Sequence, residues 1–405
     1  MAHSTDDAPA GRTPVDVHVA RVLEALEPLR RRTPQTVLLA EALGRLTSDD
    51  IVSPIDLPPF RNSQMDGYAV RAADVAAAPV SLPVVGEVAA GAGAPSPLKP
   101  GTAVKIMTGA PVPGGADAII PVEDTLAAND YVSIARGRPA GEYVREAGSD
   151  LRTGAVVVPA GTVLASRHLA ALAAAGLTEV DVVEHVRVAV ISTGSELVAP
   201  GAPLQPGQIF DSNGVALAAA VRAAGAEVVL DGRVRDQTDE LEALFDAARQ
   251  LGAQLILTSG GISMGDHEVV RELLEPQGAL IDVLAMQPGG PQGLGRWESV
   301  PVVCFPGNPV SSQLSFEIFV APLLRELAGL AARVVETRVL DSAVRSIAGR
   351  RQFLRGRRVG RGSVTAVGGP SSHLVAALAA SDVLIIIPED VTVVAAGDSV
   401  ETWAL

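Results

Sequence analysis

Residues 255–268 read LILTSGGISMGDHE, an apolar run that empties into a glycine-rich loop ending in acids. Leu255-Ile256-Leu257 predicts a buried strand, and Val269 to Leu274 predicts the helix after the loop. Glycine has no Cβ, so backbone N–H groups can approach an anion closely, and the helix aims its partly positive N-terminus at the same place. Ser259, Gly260, Gly261, Ser263 and Gly265 therefore read as an oxyanion cradle, with a tight strand-to-helix turn as the alternative.

Upstream of this stretch, strands and helices alternate. Val188 to Ile191 predicts a strand, Asn213 to Ala224 a helix closed by Gly225, and Val228 to Leu230 a strand. Thr238 to Leu251 predicts a second helix, closed by Gly252, with Asn and Thr read as the two helix caps. Strands Leu280 to Leu284 and Val300 to Phe305 then precede one long helix, from near Asn308 or Pro309 to Leu327. Such spacing implies a parallel sheet with crossover helices, whose ligands bind beyond the carboxyl ends of the strands. Those ends carry Ser192-Thr193-Gly194, Ser259-Gly260-Gly261 and Pro306-Gly307-Asn308, so three polar, glycine-bearing loops converge.

The flanks have a different character. Val15 to Leu29 repeats apolar residues at helical spacing, and Thr36 to Leu43 predicts another short helix. From Ser53 to about Arg138, short β-branched runs punctuated by Gly and Pro predict a β-rich domain. Beyond Gly329, runs such as Val383 to Ile387 predict a small barrel or sandwich.

With 405 residues, two to four domains are expected. Although 48% of residues are hydrophobic, no apolar run is long enough to span a bilayer and Met1 to Pro14 is polar, so a cytoplasmic protein with no membrane partner is expected. The net charge of −14 disfavours nucleic acid as a partner. The only lysines are Lys99 and Lys105, so an anionic ligand must be held by arginines, backbone N–H groups and helix N-termini. Cys304 sits in an apolar strand and reads as a buried, inert thiol, and no His/Cys cluster has zinc-ligand spacing. Asp66, Asp150, Glu196, Asp236, Asp266 and Glu268 lie near glycine-rich turns, and hard carboxylate oxygens of this kind suit magnesium. For each acid alone a solvated or capping role is the alternative, and Glu196 stands apart because its strand places it at the ligand-binding edge. His267 and His373 also fall in candidate loops.

Four further segments carry a resemblance: PPFRNSQMDGYAVR (58–71), VKIMTGAPVPGGADAIIPVED (104–124), ISTGSEL (191–197) and FPGNPVSS (305–312). With the opening loop, in order and at similar separations, they resemble the molybdopterin molybdenumtransferase family, which includes bacterial MoeA and the E domain of gephyrin. The resemblance implies an α/β multidomain fold with a discontinuous helical linking domain (1–52 and 142–182) used in dimerisation. It further implies a β-rich domain (53–141), a parallel-sheet βαβ molybdopterin-binding domain (183–329) and a C-terminal small β-barrel (330–405).

The implied activity is insertion of molybdenum from molybdate into adenylated molybdopterin, with release of AMP and with Mg2+ as the cofactor. By matching motifs, Asp66, Thr108, Asp150, Glu196, Asp236 and Glu268 fall on functional positions, with Glu196, Asp236, Asp266 and Glu268 as candidate metal ligands. Ser371, Ser372 and His373 resemble the family's GSH string, and Arg350 and Arg355 its two preceding arginines; with Arg271 they are expected to bind substrate. A homodimer with an intersubunit active site is implied, as is contact with the molybdopterin adenylyltransferase and acceptor molybdoenzymes.

The chain departs from the family where KPGKP aligns with Gln287-Pro288-Gly289-Gly290-Pro291, so two expected lysines become Gln287 and Gly290. Each lost oxyanion contact is worth on the order of 2 to 4 kcal/mol. Arg271 and Arg296 are the nearby candidates for compensation. The departure also keeps open an alternative function, a non-catalytic paralogue that binds or stores molybdopterin or its product. An interaction scaffold is a third reading.

Overall fold

The computed structural model describes residues 11–91, 93–263, 265 and 268–405, which form two compact units: residues 11–33 with Val183–Leu405, and Pro34–Val182. Asp266 and His267 lie outside the described residues.

The first unit begins with helix α1 (Val15–Ala25) and resumes with strand β1 (Arg187–Thr193). Helix α2 (Ser212–Ala223), strand β2 (Glu227–Val234), helix α3 (Thr238–Gln250) and strand β3 (Leu255–Ser259) come next, in the expected alternation. After the glycine loop come helix α4 (Val269–Leu274), strands β4 (Leu280–Val283), β5 (Pro291–Trp297) and β6 (Val300–Phe305), and helices α5 (Pro309–Phe319) and α6 (Ala321–Leu327). The strand order is β2-β1-β3-β6-β5-β4. The four strands β2, β1, β3 and β6 are parallel, whereas β5 and β4 are antiparallel additions at one edge.

The apolar runs bury both faces of this sheet. Val188, Val190, Leu255, Leu257, Val303 and Phe305 enter one core with α1, α2 and α5. Their neighbours Ala189, Ile191, Ile256, Val302 and Cys304 enter a second core with α3 and α4. The alternation follows the period of two that any strand imposes, and covering both faces explains the lack of polar positions. Burial drives the Cys304 thiol up to about 12, so it is not a nucleophile at neutral pH.

Three expectations need correcting. Thr36 to Leu43 is not a helix: Pro34–Leu38 is a strand, with a short 3-10 turn after it at Leu39–Glu41. Only Val37 of that strand is buried, and adjacent β-branched residues favour extended backbone. The long helix breaks at Val320 into α5 and α6, because Pro322 has no N–H with which to continue the ladder. The caps also differ, since α2 is capped by Asp211, whose Oδ1 accepts from Gly214 N at 2.9 Å, and α3 begins after Gln237 with no side-chain cap.

The C-terminal segment closes on itself as a barrel. Strands β7 (Val335–Leu340), β8 (Arg351–Val359), β9 (Ser363–Ala366), β10 (Val383–Ile387) and β11 (Ser399–Ala404) pair in the ring β8-β9-β7-β11-β10, with β10 returning to β8. A short strand Met286–Gln287 adds to β8 in parallel, stitching the barrel to the segment between β4 and β5.

The second unit, Pro34–Val182, holds a six-stranded mixed sheet including Gly67–Val70, Ala103–Ile106 and Ala118–Pro121. Gly67 of the MDGYA string lies so close to its neighbour that a Cβ there would sit 2.0 Å from Ile120 O. A separate cluster, including Val37, Leu164, Leu172 and Val182, forms the rest of its interior.

Helix α1 carries a buried histidine. His18 is 1% exposed, lies edge-on to Phe319 at 4.8 Å, and hydrogen-bonds through neither ring nitrogen among the described residues. Burial drives its pKa down to about 4. The unfolded chain takes up this proton near pH 6.5 while the folded chain resists it to about pH 4. Stability is therefore expected to hold above pH 6.5 and to fall by ~1.4 kcal/mol per pH unit below it, ~3 kcal/mol in all. Denaturant titrations at pH 7.5 and 4.5 check this: His18→Leu should lose that share of the acid sensitivity, and an unchanged difference between the two pH values would refute the assignment.

Candidate functional site

Because β1, β3 and β6 are neighbours, their C-terminal loops leave the sheet side by side. One buried amide ties the second and third together. Asn213 Nδ2 donates to Ser259 Oγ at 2.7 Å and to Gly307 O at 2.7 Å, and Ser312 Oγ donates to Ser259 Oγ at 3.3 Å. Gly260 N donates to Phe305 O at 3.0 Å, joining the second loop to the third. Gly260 has φ +96°, and a Cβ there would lie 2.6 Å from Thr193 O. Only glycine fits without moving the first loop.

These loops form the floor of a cleft of about 1040 Å³. Thr193, Gly194, Gly260, Gly261, Ser263 and the Pro306-Gly307-Asn308 turn line it, at the N-terminal end of α5. Of the other expected binding residues, Ser192 and Ser259 are buried beneath the loops, and Gly265 is braced beside Glu268.

Glu196 and Asp236 bring exposed carboxylates to the cleft wall. Asp236 Oδ2 accepts from Ser195 N at 2.9 Å, while the Glu196 carboxylate accepts no hydrogen bond among the described residues. Glu268 also lines the cleft, but its two oxygens accept from Ser263 N at 2.8 Å and Gly265 N at 3.3 Å. It braces the loop in the manner of a cap. Among the described residues no three acids, histidines or cysteines cluster as a preformed metal cage. A divalent ion that keeps most of its waters needs only one or two carboxylates, so Glu196 and Asp236 fit magnesium.

The barrel side contributes to the same cleft. Arg350, Ser371, Ser372 and His373 line it, and Val310 N donates to Ser372 O at 3.0 Å. Arg355 lies underneath, 3% exposed. Its guanidinium donates to Ser371 O at 2.9 Å and also to Gly369 O, so it holds the loop that presents the serines. Burial lowers its pKa.

In the Pro34–Val182 unit, Asp66 and Thr108 meet. Asp66 Oδ1 accepts from Thr108 N at 2.7 Å and from Thr108 Oγ1 at 2.8 Å, and these bonds hold its carboxyl below the usual range. Asp150 is exposed, with its backbone N donating to Leu57 O at 2.9 Å.

Known proteins share this fold and its sequence. Residues 13–176 match the MoeA N-terminal region (domain I and II), 189–326 the probable molybdopterin binding domain, and 337–405 the MoeA C-terminal region (domain IV). The chain is 44% identical over 393 residues to molybdopterin molybdenumtransferase 2 of Mycobacterium tuberculosis H37Rv, covering 94% of this chain and 97% of that protein. The chain belongs to the molybdopterin molybdenumtransferase family. The Haemophilus influenzae molybdopterin molybdenumtransferase is 35% identical, covering 89% of this chain and 91% of its own. The molybdopterin biosynthesis MoeA protein of Pyrococcus horikosii superposes with a TM-score of 0.79 at 35% identity, covering 97% of this chain and 99% of that one.

Within this molybdopterin molybdenumtransferase family member, the two arginines expected to compensate for Gln287 and Gly290 are engaged elsewhere. Arg271 Nε donates to Glu275 at 2.9 Å and Nη1 to Ser263 O at 3.3 Å, at the rear of the glycine loop. Arg296 is an exposed residue near the far end of β5, with Nη2 donating to Ser299 O at 2.8 Å. Six residue steps along the strand separate it from Gly290, roughly 20 Å. Neither lines the cleft. Asn213 was legible only as a helix cap, although an Asn two residues after Asp211 offered a second polar side chain whose partner had to be found elsewhere.

Gly260→Ala is expected to cost ~1 to 3 kcal/mol through its left-handed backbone and the collision with Thr193 O. Ligand binding should weaken by more than the loss of folded protein explains. Paired thermal melts and titrations check this, and a variant with native melting and binding would show that the loop has another conformation.

Proposed function

We propose that this protein transfers molybdenum from molybdate to adenylated molybdopterin and releases AMP, acting as a Mg2+-dependent homodimer. The observation that carries the reading is the cleft itself: three glycine-bearing loops at the carboxyl edge of the sheet line it together with the carboxylates of Glu196 and Asp236. Backbone N–H donors without net charge bind an oxyanion, and acids beside them suit a bridging cation.

Magnesium held by Glu196 and Asp236 would neutralise charge on the phosphate oxygens. The protein's own part is positioning. The Gly261 N–H and the first turn of α5 at Ser311 hold the pyrophosphate, since the N–H groups of Gly260 and Val310 are given to Phe305 O and Ser372 O, and Ser371 and Ser372 offer hydroxyl donors from the barrel side. Hydrolysis of the phosphoanhydride divides one water between AMP and the pterin phosphate. As the two dithiolene sulfurs bind the metal, one oxide of molybdate leaves as water, carrying away the two thiol protons. The Asp66–Thr108 pair presents a carboxylate held ionised by the Thr108 N–H and hydroxyl, both of which donate to it.

AMP release from adenylated molybdopterin, with molybdate and magnesium supplied, tests the reading. Glu196→Gln and Asp236→Asn are expected to lower kcat by roughly 100- to 1000-fold. Tight pterin binding with no AMP above background in the wild type would replace this reading with a storage protein.

A shared active site makes a separate prediction. Asp66→Asn and Glu196→Gln subunits, each inactive alone, should regain about a quarter of wild-type activity when co-expressed, since half the dimers then carry one intact site of two. Mixed dimers with no activity would place both residues' contributions within one subunit.

A further inference from the structure

We propose that Arg12 supplies the cationic contact to the bound oxyanion that the chain lacks at Gln287 and Gly290. This rests on the reading of the cleft as a pyrophosphate and molybdate site. Arg12 lines that cleft from the N-terminal segment, one residue before the stretch matched by the MoeA N-terminal region.

Its place is fixed by long-range pairing. Thr13 N donates to Val283 O at 3.1 Å and Ala285 N to Thr13 O at 2.8 Å, forming a parallel bridge between Thr13 and Leu284. Thr13 Oγ1 donates to Asp282 at 3.0 Å, and Arg21 pairs with the same carboxylate at 2.7 Å. Asp282 is thus already neutralised by Arg21. Beyond Thr13 the chain enters α1, whose Val15 and Val22 are buried. Arg12 is therefore held one residue from an anchored strand.

The guanidinium has donors to spare. Its one hydrogen bond among the described residues runs from Nη1 to Leu284 O at 3.4 Å, and no acid pairs with it there. Five N–H donors in a planar fork leave Nε and Nη2 for an oxyanion. The location matches the departure from the family. A Cβ built on Gly290 would lie 3.8 Å from Arg12 Nη1 and touch nothing closer than 3.7 Å. A side chain at 290 would thus start beside the Arg12 guanidinium. Both lysines of the chain lie in the Pro34–Val182 unit, so the unit that holds the cleft has none. Among the described residues, Arg12 and Arg350 are the only arginines lining it.

The exchange is tested by moving the charge. Inorganic pyrophosphate and molybdate are titrated separately into the full-length protein and into Arg12→Ala, Arg12→Lys, Gly290→Lys and the double variant Arg12→Ala/Gly290→Lys. AMP release and thermal melting are measured on each. Arg12→Ala should weaken at least one anion by roughly 10- to 100-fold, and the anion affected identifies which oxyanion Arg12 holds. Adding Gly290→Lys should recover most of that loss. Arg12→Lys should keep part of it, and Gly290→Lys alone, which sets a second cation beside Arg12, should tighten the anion that Arg12 holds. A purely structural Arg12 predicts lower melting and no recovery from a lysine at 290. Wild-type affinity for both anions in Arg12→Ala, or no recovery in a double variant that melts like the wild type, overturns the proposal. If the wild type binds pyrophosphate through Arg12 but releases no AMP, the transferase reading fails and the Arg12 assignment stands. If it releases AMP at a rate and affinity indifferent to Arg12, the reverse holds.

Discussion

The cleft depends on one buried amide. Asn213 Nδ2 reaches both Ser259 Oγ and Gly307 O, so the loops after β3 and β6 are held at one spacing by a side chain from α2. Asp211 makes this possible by capping α2 at Gly214 N, which leaves the Asn213 side chain to the loops. Backbone N–H groups bind an anion well only when they are already aimed, because reorienting them costs free energy at the moment of binding. The clamp, the Gly260 N to Phe305 O bond and the Glu268 brace each remove one way the loops can relax.

Much of the central architecture was legible because parallel strands buried on both faces leave a plain pattern. The runs around Val188, Leu255 and Val302 have no polar alternation, and glycine closes the intervening helices. The edge hairpin was less legible. Pro291–Trp297 contains two glycines, a glutamine and an arginine, and its strand character comes from pairing with Val300–Phe305 across a tight turn. Pro34–Leu38 misled for the opposite reason, since Val37 to Leu39 with Ala42 and Leu43 imitate a helix face, whereas only Val37 of the strand is buried.

Site residues divide in the same way. Glycine loops, Glu196 and Asp236 could be placed from local pattern, because the carboxyl end of a parallel strand delivers its loop to the ligand-binding edge of the sheet. Roles set by distant partners could not. Arg355 reads like a ligand-binding arginine but holds the carbonyls of Gly369 and Ser371, a pairing visible only once β8 and the 367–372 loop are folded. Arg12 lies 272 residues from Leu284, and nothing in the polar stretch around it marks it as part of a cleft.

The short strand Met286–Gln287 has a mechanical consequence. It belongs to the barrel by its pairing with β8, yet it leads directly into the Pro288 to Gly290 wall of the cleft. Gln292 Nε2 secures that wall by donating to Gly289 O at 2.7 Å and Ser315 Oγ at 2.6 Å. A hinge between barrel and sheet would have to break the pairing of Met286–Gln287 with β8 each time it opened. The Pro288 to Gly290 wall is thus held by the barrel on one side and by β5 and α5 on the other, so a change at Gln352 or Ser315, outside the cleft lining, would be felt in the cleft.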